Sequence, residues 1–176
     1  MLAIMSVSLR GLLARLRMAA RLAEKVSKDN LELFTEEALG LVSRGDIRDA
    51  AEKAWAAYKA LLGLILATRG IRLIEERIRR TWEQRGPEKA EKELEWWIQT
   101  GFLVPSARQK LGEVARLAAE AVNDKEIYQG LAEAILLHLW FYHGPDTVPL
   151  TEEGAKERIL ELIDWIKKKA KQYRLL

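Results

Sequence analysis

A chain of 176 residues, 49% hydrophobic and 31% charged, holds enough apolar material for one globular core and too much to be disordered. It contains no Cys, which excludes disulfides, thiolate metal sites and a Cys nucleophile. The formal net charge is +3, from 29 basic and 26 acidic residues, too small a surplus to mark a nucleic-acid binder by itself.

Apolar positions recur at helical spacing nearly everywhere, and alternating strand-like runs are missing, so the pattern predicts an all-α antiparallel multi-helix bundle of about seven to eight helices. The first predicted helix covers Ser6 to Ser27, with Leu9, Leu12, Leu13, Leu16, Ala20 and Ala23 on one side. Residues 1–28 carry Arg10, Arg15, Arg17, Arg21, Lys25 and Lys28 against the single acid Glu24, which suggests a basic N-terminal helix packed on a domain spanning 29–176. Asp29 or Asn30 is placed to cap a second helix ending at Gly45, and Asp46 to cap a third that runs to about Thr68. A fourth helix, Ile71 to Gln84, is Arg-rich, and the pair Gly86 and Pro87 closes it and opens a fifth. Ser106 is expected to cap a sixth helix, Asp124 a seventh ending near Tyr142, and Thr151 an eighth ending near Tyr173. The connections are mostly short, which favours antiparallel neighbours.

The third and seventh helices are apolar around most of their circumference, which predicts that both are central. On a wheel of the third, Ala50, Ala54, Tyr58, Leu61 and Ile65 form one stripe. Ala56, Ala60 and Gly63 form a small-residue side that would let another backbone approach, from this chain or from a second subunit. Glu52 and Lys59 share one flank and Lys53 takes the other. Boundary residues of this kind cover apolar surface with their stems and hold their charged ends in water or against one another. They would equally serve a polar cleft beside the seventh helix, where His138 lies on the same face as Phe141 and Tyr142.

No phosphate-cradling loop, dinucleotide fingerprint or hydrolase elbow is present. The two histidines, His138 and His143, are five apart and have no HExxH-like companions, so no metal site is expected, and no cofactor is implied. The basic faces of the first and fourth helices could contact phosphates, although such faces are ordinarily just solvated. Arg10, Arg15 and Arg17 interrupt any signal-peptide core, and no stretch reaches the ~20 apolar residues of a membrane span. A cytoplasmic location is expected, and abundant Glu, Lys, Arg and Leu without Cys is a thermophile tendency.

Two stretches, "RGDIRDAAEKAWAAYKALLG" and "LLHLWFYHG", together resemble the archaeal PaREP family of helical proteins. Gly45, Asp46, Ala50, Glu52, Lys53, Trp55, Lys59, Ala60, Leu61, Leu137, His138, Phe141 and Tyr142 match its pattern, over about residues 30 to 172. That family is similar in turn to HEPN domains, helical bundles that often dimerise and that include ribonuclease toxins. The resemblance implies a homodimeric binding or interaction module, taking a nucleotide-containing ligand or a partner protein at a cleft between the third and seventh helices. Glu52, Lys53, Lys59, His138 and Tyr142 are its candidate residues. The alternative it implies is a divergent metal-independent ribonuclease. Catalytic HEPN proteins carry Arg four to six residues before His, whereas Leu131, Ala132 and Glu133 precede His138, and Leu136, Leu137 and His138 precede His143. Without that cation no group offsets charge on a reacting phosphate, so the expectation leans away from an enzyme.

Overall fold

Helical periodicity unbroken by Pro or Gly carries the chain through most of its length. The computed structural model, which describes residues 7–102 and 108–176, contains seven α-helices and no strand among those residues. They are α1 (Leu9–Ser43), α2 (Ile47–Arg69), α3 (Ile71–Arg85), α4 (Pro87–Trp96), α5 (Arg108–Val122), α6 (Glu126–His143) and α7 (Glu152–Gln172). A π-helical turn, Trp97–Phe102, extends α4. The expected cap at Ser106 lies outside the described residues.

The first two predicted helices are one. α1 runs through Asp29 and Asn30 because its buried stripe does not break there: Ala20, Ala23, Ser27, Leu31, Thr35 and Ala38 continue at intervals of three and four residues. Asp and Asn cost a helix interior only about 0.7 kcal/mol each relative to Ala, which is less than burying one further Leu returns. α1 is capped by the Ser8 hydroxyl, which accepts from the Gly11 N–H at 3.1 Å. It ends where Gly45 takes φ +79°, the left-handed conformation that a side chain disfavours. Asp46 and Thr151 cap α2 and α7 as their positions suggest, accepting from Asp49 N at 3.4 Å and Gly154 N at 3.1 Å.

α2 is the centre. Ala51, Ala54, Trp55, Ala57, Tyr58, Leu61, Leu62, Leu64, Ile65 and Leu66 are all sealed from solvent, while Glu52, Lys53, Ala56 and Lys59 are only half-buried. α1 makes the most extensive contact with it, followed by α6, α7 and α5. On the small-residue side, Ala56 and Ala60 look across to Ser27, Asn30 and Phe34 of α1, so a partner for that side comes from the same chain. α6 is less central than its sequence predicts. Leu131, Ala134, Leu137, His138 and Trp140 are buried, but Ile135, Leu136, Leu139 and Phe141 are only half-buried, and Tyr142 is exposed. A largely apolar helix can thus lie one layer out when another, covered by α1, α5, α6 and α7, occupies the middle. No helix among the described residues is long and apolar enough to cross a membrane.

Two polar ties fix α6 antiparallel on α2. The Tyr58 hydroxyl, buried, donates to the Ile127 carbonyl at 2.7 Å at one end, and Arg48 donates to the Phe141 and Tyr142 carbonyls at 2.6 and 3.2 Å at the other. Arg48 meets carbonyls that the helix end leaves without partners, where a cation also suits the macrodipole. Burial pushes the Tyr58 phenol well above its ordinary value, so it stays a neutral donor.

A third tie joins α7 to the turn before α6. Lys169 Nζ, with its side chain 9% exposed, lies 2.6 Å from Asp124 Oδ2 and 2.5 Å from Glu126 Oε2, and the Tyr173 hydroxyl also donates to Asp124. Burial alone would raise the Asp124 pKa. Hydrogen bonds from Lys169, Tyr173 and the Glu126 N–H overcome that and hold it below the usual 3.8. Burial likewise opposes the Lys169 charge, and the two carboxylates more than restore it. A carboxylate with a depressed folded pKa stabilises the fold above its unfolded pKa and loses that contribution as the pH falls through the folded value. Asp124→Asn is expected to cost about 3 kcal/mol at neutral pH, because it leaves a buried ammonium one carboxylate short. Urea unfolding across pH 2 to 7 checks this: the variant should show a shallower fall in stability below about pH 4 than the wild type.

Candidate functional site

The spacing of Glu52, Trp55 and Lys59 places all three on one flank of α2, and His138 and Tyr142, one turn apart, face them from α6. The His138 Nδ1–H donates to Glu52 Oε2 at 2.9 Å, since a carboxylate can only accept. The imidazole lies against the Trp55 indole, with ring centroids 4.6 Å apart and planes 20° from parallel, and the edge of Tyr142 closes it at 4.9 Å. Lys59 Nζ sits 5.4 Å from the Trp55 ring centroid. The order along the helix face is therefore Glu52, His138, Trp55, Lys59, with one aromatic surface shared between a histidine and an ammonium.

Lys53 takes no part in that cluster. Its ammonium turns toward α1, where it lies 2.7 Å from Glu37 Oε2 and 5.4 Å over the Phe34 ring. The five residues singled out in the sequence thus divide: Glu52, His138 and Tyr142 meet directly, Lys59 joins them through Trp55, and Lys53 ties α2 to α1.

Two depressions adjoin the group. The first, about 290 Å³, lies where α1, α2 and α6 meet and is lined by Leu41, Phe141, Glu37, Asp49, Glu52, Arg44 and Lys53. Leu41 and Phe141 give it an apolar surface, and its three carboxylates outnumber its two cations. The second, about 250 Å³, lies between α1 and α2, where Lys59 meets Ser27, Asn30, Phe34 and Phe102. His138, 8% exposed, stands behind Glu52 and opens to neither lining. Trp55 is sealed, and its indole N–H has no partner, a deficit of roughly 1–3 kcal/mol held in place by the ring's packing.

Sequence reasoning missed Arg48, Glu37, Asp49 and Leu41. Asp49 and Glu52, one turn apart on α2, were visible as an acidic pair, but nothing local announces that α1 folds back to supply Glu37 and Leu41. Arg48 was legible only once Phe141 and Tyr142 were known to end a helix beside it.

The chain belongs to the archaeal PaREP1/PaREP8 family, whose model matches residues 27–162. The matched span contains α2, α6 and every residue of the Glu52, Trp55, Lys59 and His138 cluster, and it omits the first half of α1. No curated protein and no solved structure matches the chain.

Burial lowers the Lys59 pKa below 10.5, and the nearby Glu52 charge only partly opposes it. The unfolded chain therefore holds this proton more tightly than the folded one. Stability should rise with pH from the lowered value up to 10.5, where the unfolded lysine also loses its charge. Lys59→Met keeps the stem and removes the charge. It is expected to raise the melting temperature at neutral pH and to abolish the rise in stability toward pH 10.5, as thermal unfolding of both proteins across that range will check. A variant that melts lower at neutral pH would show instead that the Trp55 contact outweighs desolvation.

Proposed function

We propose that this PaREP1/PaREP8 family member is a non-catalytic, HEPN-like interaction module that docks a segment of a partner protein in the groove where α1, α2 and α6 meet. The observation that carries the reading is the groove's composition: an apolar floor of Leu41 and Phe141 edged by Asp49, Glu52 and Glu37. Such a surface suits an apolar side chain followed by a cationic one. A nucleotide phosphate suits it poorly, because the carboxylates outnumber the cations and Lys53 is engaged by Glu37. His138 and Tyr142 serve the groove from behind, by holding Glu52 in one orientation. The ribonuclease alternative gains nothing here, since the His138 Nδ1–H is committed to Glu52 and Arg48 to the carbonyls that end α6.

The module works as a homodimer in this reading, paired through α1. Met18, Leu22, Val26 and Leu33 lie along one side of that helix and are 62%, 69%, 48% and 48% exposed. The flank beside them is basic in its first half, at Arg21, Lys25 and Lys28, and acidic in its second, at Asp29, Glu32 and Glu36. Two copies laid antiparallel about a two-fold axis match unlike charges along the seam, whereas parallel copies match like with like.

Peptide display against the purified protein tests the groove. Enriched sequences should pair an aliphatic or aromatic residue with Lys or Arg, and their binding should weaken at least about tenfold in both Leu41→Arg and Glu52→Arg. Acidic consensus peptides, or peptides indifferent to both substitutions, would remove the proposal. For the dimer, sedimentation equilibrium should give a concentration-dependent dimer that Leu22→Glu converts to monomer without lowering the melting temperature. A wild type that stays monomeric up to about 100 μM, a concentration far above the Kd of an ordinary specific pairing, would refute it.

A further inference from the structure

We propose that the groove between α3 and α4, remote in composition from the site above, binds linked phosphate groups. The two helices form a hairpin across Gly86, whose φ of +85° lets one residue turn the chain. α3 buries Ile74 and Ile78 in the core and turns Arg77, Arg80, Thr81 and Gln84, spaced as one helical face, toward a depression of about 550 Å³. Arg85 closes one end of it, and α4 contributes Lys89 and Glu93, one turn apart.

Four cations therefore share this lining with a single carboxylate. The lining thus carries a formal charge of +3. Several arginines around the α3–α4 hairpin have carboxylate partners: Arg17 is 2.6 Å from Glu75, Arg72 is 3.1 Å from Glu76, and Arg15 is 2.7 Å from Glu91. Arg80, Arg85 and Lys89 make no ion pair among the described residues. Glu93 is engaged from across the groove by the Thr81 hydroxyl, and Arg77 is fixed by Glu113 at 3.0 Å and by the Trp97 ring at 5.5 Å. The walls are thus pre-set while three cations remain available, an arrangement that repels itself until an anion fills it.

Guanidinium forks match phosphate oxygens two at a time. Arg77 to Arg85 spans about 12 Å of helix at 1.5 Å per residue, longer than one phosphate, so the fit is to several joined phosphates. Among the described residues no aromatic ring lines the groove, so recognition rests on phosphate rather than on an aromatic platform for bases. A polyphosphate chain and the phosphodiester backbone of single-stranded RNA both offer that chemistry.

Titration calorimetry with inorganic tripolyphosphate and with a short oligouridylate separates those sources. At least one of them should bind, and whichever binds more tightly is the source. Three phosphate contacts predict an affinity for oligouridylate that drops roughly 20-fold between about 50 and 200 mM salt. Arg80→Gln, Arg85→Gln and Lys89→Gln together should weaken binding at least about tenfold, while Lys167→Gln, Lys168→Gln and Lys171→Gln together, which remove the same charge from exposed α7 positions, should leave it unchanged. Amide hydrogen exchange on the wild type is the second measurement, independent of any variant: protection should appear in α3 and α4. Failure of both probes to bind, equal loss in the α7 control, or protection elsewhere would overturn the proposal. Cleavage of the oligouridylate would count against the non-catalytic reading of the α1, α2 and α6 groove and leave this one standing.

Discussion

The burial of the apolar residues of α2 is the constraint on which the rest of the structure depends. A helix so largely apolar must be covered by several neighbours, and this one carries Trp55, Tyr58 and a run of Leu and Ile that each contribute about 1.5–3 kcal/mol when sealed from water. The arrangement of α1, α5, α6 and α7 follows from that demand. It also explains why α1 is so long: a 35-residue helix supplies one unbroken cover for a 23-residue one, with enough left over to meet α3 and α4.

Charge in such a helix survives only at the seams between its neighbours, and each seam answers it differently. Glu52 meets a histidine, Lys53 meets Glu37 of α1, and Lys59 has an aromatic face and the more distant Glu52 charge. Half-buried lysines cover apolar surface with their stems, so their positions in the sequence follow the boundaries of the packed faces. The Glu52 to His138 bond is a fold-specifying contact as well as the back wall of a groove, since it sets the register of α6 along with the ties from Tyr58 and Arg48.

Two surfaces of opposite character emerge outside this core. Where α1, α2 and α6 meet, the lining is apolar with an acidic edge, and between α3 and α4 it is polar and cationic. The separation divides into two surfaces what the candidate residues alone would have merged into one cleft. In the proposed reading, phosphate goes to the unpaired guanidinium groups and a cationic peptide to the carboxylates beside Phe141.

Periodicity by itself determined the helical class, most helix boundaries and the centrality of α2, because those depend on local propensity, caps and the placement of apolar residues. It also placed Glu52, Lys53 and Lys59 on opposite flanks, since a helix fixes angular position by counting. Spacing could not reveal that α1 continues through Asp29 and Asn30, because long-range burial of Leu31 and Ala38 outweighs the local signal for a break. Nor could it divide the five candidate residues. Which flank meets α6 and which meets α1 is set by how the helices pack, and only the tertiary structure could hand Glu52 to His138 and Lys53 to Glu37.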